Sequence, residues 1–238
     1  MTNNLDINNI KQNTKDLTKF VILLNTCIGK TYLELKEFIF PKINGLYRDN
    51  LSVTENDKGC DGKKIEYELF KNNPNCCSNP DLLCGYDIKV TKFKYNNKKN
   101  GYFAKERLTI TNINRDYIVK CDSLESSKYF HKLSKILLFV FEFNTDFENA
   151  IFLGVIMFNY VNLSNSDKKI IIDDFEYIQN IVKNDCITQK GQQYLHIHSH
   201  GSKNSTTKAI GFKNNFVTQI FGQFNTKYIY NNNVATLI

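Results

Sequence analysis

Asp87 and Lys89 stand two residues apart in DLLCGYDIKVTKFKY, residues 81–95, and Asp81 opens the same stretch. On an extended strand, residues i and i+2 share a face. Asp87 and Lys89 therefore point together, and Asp81 lies within loop reach of them. Carboxylates are hard oxygen ligands suited to Mg²⁺. A bound metal polarises a phosphate and lowers the pKa of its water. A lysine beside them can orient that water and balance the developing charge. The pattern is that of metal-assisted phosphodiester hydrolysis. The triplet alone also reads as a solvated strand face on which opposite charges partly compensate.

His196, His198 and His200 alternate in QQYLHIHSH, residues 192–200. Three imidazoles on one face invite a zinc reading. Successive side chains on one strand face are about 6–7 Å apart, which strains coordination of one ion by all three. A polar strand surface is the preferred expectation. The seven cysteines include Cys60, Cys76, Cys77 and Cys84 near the acidic stretch, but their spacing is irregular and no CxxC pair occurs. They read as buried or loop thiols. Lys92, Lys94, Lys98, Lys99, Lys105 and Arg107 form one basic series. Such side chains fix a protein on phosphates without reading sequence. Lys203, Lys208 and Lys213 form a second. With neighbouring Ser, Asn and Thr, that second set has the chemistry to reach base edges.

The elements that must carry these residues follow from hydrophobic period. YDIKVTKFKY, 86–95, is a strand with Ile88, Val90 and Phe93 facing one way and Asp87, Lys89 and Thr91 the other. Residues 96–101 are a turn and 107–113 the next strand. ILLFVFEF, 136–143, is an apolar run typical of a central strand, and 149–161 is another. Residues 173–185 form an amphipathic helix through Phe175, Ile178, Ile181 and Val182. Residues 123–135 fit a helix with Ser123 as a possible cap. Residues 192–200 alternate, and 208–221 read as strand then helix. Residues 17–27 are a buried helix or strand. Ile28, Leu33, Leu35 and Phe38 could line the surface that follows. Residues 63–70 are a helix start or a short strand, 71–80 a loop, and 5–15 a frayed tail or an irregular helix, within an N-terminal tail over 1–15. Together they predict one α/β (α+β) domain over 1–238 with a central mixed sheet flanked by helices.

The composition fits a folded domain: 238 residues, 42% hydrophobic, 13% aromatic. It excludes a fully disordered chain. The formal charge of +7 favours polyanionic partners weakly. No stretch approaches about 18 apolar residues, so no membrane span is expected. The N-terminus has no signal-peptide core, and an intracellular, cytoplasmic setting is the default.

NDKGCDGKKIEYELF, PDLLCGYDIKVTKFKY and KKNGYFAKERLTI, in this order, resemble the MutH mismatch-repair nuclease and its relatives, the GATC-specific type II restriction endonucleases. The likeness to the restriction enzymes is the closer. It rests on the acid-x-lysine strand, Asn100–Gly101, and Lys105 to Leu108. YFHKLSKILLFVF and QYLHIHSHGSKNSTTKAIGFKNNFVTQIF extend it, so that it spans about residues 28–221. The resemblance implies a restriction-endonuclease-like core and a Mg²⁺-dependent DNA endonuclease, with Mn²⁺ able to substitute. It implies metal ligation by Asp81, Asp87, the Ile88 carbonyl and Glu66, a water-positioning Lys89, and Lys132 on the phosphate. Lys105, Arg107, His196, His198, His200, Lys203, Lys208 and Lys213 would face double-stranded DNA. Cleavage at GATC leaving 5′-phosphates is the leading expectation, with a homodimer on a palindromic site. A strand-nicking repair enzyme and a catalytically inactive DNA-binding module are the alternatives. Two departures stand out. Asp87 occupies the family's glutamate position, and the Asp81–Asp87 gap is one residue shorter than in the mismatch-repair protein.

Overall fold

A computed structural model describes residues 5–46, 59–73, 79–188, 190–201 and 206–238. In chain order the first part holds β1 (Leu5–Asp6), α1 (Ile7–Gln12), α2 (Thr14–Asn25), α3 (Tyr32–Ile39), β2 (Ile43–Asn44) and α4 (Cys60–Phe70). Then come β3 (Asp87–Asn96), β4 (Gly101–Ala104), β5 (Leu108–Asn112), α5 (Arg115–Ile118), α6 (Lys128–Leu133), β6 (Lys135–Glu142) and β7 (Phe152–Asn159). The last part holds α7 (Asn165–Lys183), β8 (Leu195–Ser199), β9 (Lys208–Phe212), α8 (Asn214–Phe224), β10 (Tyr228–Asn231) and β11 (Val234–Leu237). The chain divides into two compact units, Met1–Tyr95 with Ile136–Phe158, and Asn96–Lys135 with Asn159–Ile238.

In the first unit β3 pairs in parallel with β6, and β7 lies on the other side of β6. The register sets Asp87 opposite Ile136, Ile88 opposite Leu137 and Lys89 opposite Leu138. The β6 run is apolar on both faces, as a strand covered on both sides must be. One face packs Ile88, Leu137, Phe139 and Phe141 with Phe20 and Leu24 of α2, Tyr32 and Leu35 of α3, and Ile65 and Leu69 of α4. Phe141 lies 5.3 Å from Phe152 and 4.8 Å from Phe147, centroid to centroid, in the range where aromatic pairs attract. This is the predicted α/β arrangement with a mixed sheet flanked by helices, consistent with a restriction-endonuclease-like core.

In the second unit β10, β11 and β4 pair antiparallel. A three-stranded antiparallel sheet runs β5–β9–β8. The amphipathic α7 buries Phe175, Ile178, Ile181 and Val182, the residues its period selects.

The fold departs from expectation at three places. Phe93 is buried but lies on the face of Asp87, Lys89 and Thr91 by strand parity, and it stays outside the Ile88 core. Residues 123–135 do not begin a helix at Ser123. Ser123 and Ser126 bond each other's backbone N–H groups at 3.2 Å, an alternative to helical bonding, and α6 starts after Ser127. Leu33 is exposed on α3, while Leu35 is buried. Of the two readings of residues 5–15, the helix holds for Ile7–Gln12, which follows β1 and places Ile7 and Ile10 in the core.

Candidate active site

Four of the expected site residues sit on two neighbouring pieces of the first unit. Strand β3 carries Asp87, Ile88 and Lys89, and the turn before it carries Asp81. Gly85, at φ 90°, lets that turn close, with Leu82 N–H donating to the Tyr86 carbonyl at 2.9 Å. The closed turn brings Asp81 back to the strand. There Ile88 N–H donates to Asp81 Oδ2 at 2.8 Å. Asp87 is fully buried and its carboxylate pairs with the Lys89 ammonium, which is one-fifth exposed. The i, i+2 argument for a shared face is thereby met. The acid at position 81 is tied to the backbone between its two partners.

Glu66 lies on α4, half-buried. What positions α4 is a buried charge network that the sequence did not flag. Lys36 of α3, 3% exposed, pairs with Glu68 at 2.9 Å and with Glu148 at 3.0 Å. Tyr32 Oη donates to Glu68 at 2.8 Å, and Lys64 reaches Glu148 at 3.1 Å. Burial, then the neighbouring Glu68 carboxylate, pushes the Tyr32 hydroxyl pKa far up, so it stays a donor. Buried Lys and Glu occur when paired, and here the pairing holds α3 to α4. Lys36, Lys64, Glu68 and Glu148 read in the sequence as ordinary helix and loop charges. Only long-range contact makes them a network.

Lys92, expected on phosphates, points to the other face of β3. It pairs with Asp61 of α4 at 2.8 Å and so serves the interior of this unit.

The remaining expected residues belong to the second unit. Lys132 sits on α6. Lys105 and Arg107 precede β5, with Lys105 3.9 Å from Glu106 and Arg107 exposed. Lys208 Nζ donates to Ser199 Oγ at 2.9 Å. Lys213, expected at bases, instead turns its ammonium onto the Gln192 carbonyl. Lys203 lies outside the described residues, as do Cys76 and Cys77.

The histidine strand departs most from expectation. His200 is exposed, but His196 and His198 are 5% and 1% exposed. Their ring centroids are 4.9 Å apart. His198 crosses β9 to meet Thr109 Oγ1 of β5 at 3.1 Å. It can do so because position 211 is glycine. A Cβ there would meet His198 Cε1 at 2.8 Å and the Leu108 carbonyl oxygen at 2.5 Å. Desolvation, then the Lys213 charge, lowers His196 to about 4. Desolvation, then Arg107, lowers His198 to about 3. Both are neutral imidazoles at pH 7. They are not the exposed polar surface that alternation suggested.

Among the described residues no group of three or more His, Cys, Asp or Glu side chains converges as a metal site. Mg²⁺ is commonly held by one or two carboxylates with waters completing its shell. Asp81, Asp87 and a main-chain carbonyl are an all-oxygen donor set of that kind.

Comparison with known families adds one finding. The sequence model of the family described as DNA mismatch repair enzyme MutH matches residues 70–174. The matched part includes Asp81, Asp87, Lys89 and Lys132. It leaves out Glu66 and the β8–β9 sheet. The match supports homology to that nuclease-fold family over this part of the chain. No curated protein matches the sequence.

Proposed function

We propose that the chain is a Mg²⁺-dependent DNA endonuclease, acting as a type II restriction enzyme at GATC and leaving 5′-phosphates. The observation that carries this reading is the cluster on β3: Asp81 bonded to Ile88 N–H, and Asp87 paired with Lys89 on the shared face. The family match over 70–174 supports it. Asp81, Asp87 and the Ile88 carbonyl would hold the ion, with Glu66 from α4 as a further ligand or through water. When bound, Mg²⁺ supplies Lewis acidity at the phosphate and a more acidic water.

The chain's own residues do the rest. Asp87 holds the Lys89 ammonium at the site, buried from bulk solvent on the carboxylate side. Lys89 thereby stays placed to orient a water and to offset charge on the phosphate oxygens. Asp81, fixed by a main-chain donor, keeps its carboxylate beside that pair. The exposed lysines and His200 contact the duplex, and binding falls as salt rises. One such site cuts one strand per encounter, so a dimer on the palindrome supplies the second cut.

The test is plasmid DNA incubated with the full chain and Mg²⁺, with and without adenine methylation at GATC, followed by end mapping. Linear product with uniform ends is expected. Lys89→Ala should lose cleavage and keep DNA binding. An active Lys89→Ala protein overturns the assignment. Open circles alone point to a nicking enzyme, and binding without cleavage to an inactive module.

A further inference from the structure

Helix α4 ends at Lys71, whose left-handed backbone (φ 51°) turns the chain back on the helix. The turn aims the next residue, Asn72, two ways. Its backbone N–H donates to the Glu66 carbonyl at 2.9 Å. Its side-chain Nδ2 donates to the Asp81 carbonyl at 2.8 Å. Asp81 in turn accepts from Ile88 N–H at 2.8 Å. An unbroken run of hydrogen bonds therefore links the helix turn that bears Glu66, through one amide side chain, to Asp81 and onward to the strand that bears Asp87 and Lys89.

We propose that Asn72 is a positioning residue for the acidic site, fixing Asp81 against β3 and setting its placement relative to Glu66. The inference rests on the nuclease reading for its consequence in metal binding, but not for the placement of Asp81. Asparagine suits the position because it offers a neutral N–H₂ donor on a short arm. Aspartate would remove that donor and set a carboxylate against a carbonyl oxygen. Partners that hold a ligand in place typically change metal affinity roughly 10–100-fold when lost.

The experiment compares the full chain with Asn72→Ala and Asn72→Asp by two measurements. Amide hydrogen exchange reads the Ile88 N–H directly. It should exchange roughly tenfold faster in both variants, because losing the Asn72 bond to the Asp81 carbonyl releases Asp81 and weakens the bond its carboxylate accepts from Ile88 N–H, while β6 amides keep their protection. Binding of Mn²⁺, measured by calorimetry, should weaken roughly 10–100-fold. The Mg²⁺ needed for half-maximal cleavage should rise by a similar factor, with the rate at saturating Mg²⁺ retained. Unchanged Ile88 exchange in both variants overturns the positioning of Asp81, whatever the activity. Faster exchange with unchanged Mn²⁺ affinity overturns its role in metal binding. A wild-type chain that neither binds Mn²⁺ nor cuts DNA sinks the nuclease reading, while exchange still decides what Asn72 does.

Discussion

The histidine pair makes the second unit sensitive to mild acid, and the size of the effect follows from its burial. His196 and His198 are held neutral in the fold, lowered to about 4 and about 3. In the unfolded chain each returns to about 6.5. As pH falls below 6.5 the unfolded state takes up protons that the folded state refuses, so stability rises with pH across this window. The contribution is fully present above pH 6.5 and is lost progressively down to about pH 3–4. At pH 5 each histidine costs about 2 kcal/mol, so the pair costs about 4 kcal/mol. That is a large part of the ~5–15 kcal/mol that holds a typical domain together. Protonation within the fold offers no relief. A charged pair 4.9 Å apart would repel, with Arg107 and Lys213 adding to the positive field. Urea unfolding followed by far-ultraviolet circular dichroism at pH 7, 6 and 5 measures this. The slope should approach about 2.7 kcal/mol per pH unit near pH 5, the value for two protons. A His196→Gln/His198→Gln double variant keeps the general carboxylate background, which the comparison subtracts, and should show a much flatter profile. A wild-type stability that changes by less than about 1 kcal/mol from pH 7 to 5 would refute the reasoning. So would a double variant that falls in parallel with it.

Two more perturbations test the packing arguments. Gly211→Ala places a methyl against His198 Cε1 and the Leu108 carbonyl oxygen, so it should lose about 1–3 kcal/mol in denaturant unfolding and loosen the His198–Thr109 bond. Lys36→Met alone strands Glu68 and should cost roughly 3–5 kcal/mol, whereas Lys36→Met with Glu68→Gln should recover a good part of it. Equal losses for the single and double variants in thermal melts would show that the pair is not coupled.

What was legible in the sequence was what has a short period. Strands β3, β6 and β7 and helix α7 announce themselves through alternation, an apolar run or a clean helical stripe. The shared face of Asp87 and Lys89 needed nothing more. Phe93 shows the limit of counting by eye, since an odd position on β3 cannot share a face with Ile88. The β10–β11 hairpin was missed although its turn was spelled out. Asn232 and Asn233 both take positive φ, 47° and 65°, as a two-residue hairpin turn requires. The histidines failed for another reason. HIHSH has the pattern of a half-exposed strand, and burial of His198 depends on a glycine on the neighbouring strand. The same holds for Lys92, whose partner Asp61 lies on a distant helix. Asn72 left no trace, being one asparagine in an asparagine-rich loop.

The paired lysines of β3 change how the chain's charge should be counted toward a polyanion. A formal +7 suggests a broad positive field. Yet Lys89 spends its charge on Asp87 and Lys92 on Asp61. Neither can displace many counterions from a duplex without first giving up a carboxylate. Lys94 and Lys98, both exposed, have no such carboxylate partner among the described residues. The dependence of DNA affinity on salt should therefore track lysines of the latter kind, and removing Lys92 should leave its slope nearly unchanged.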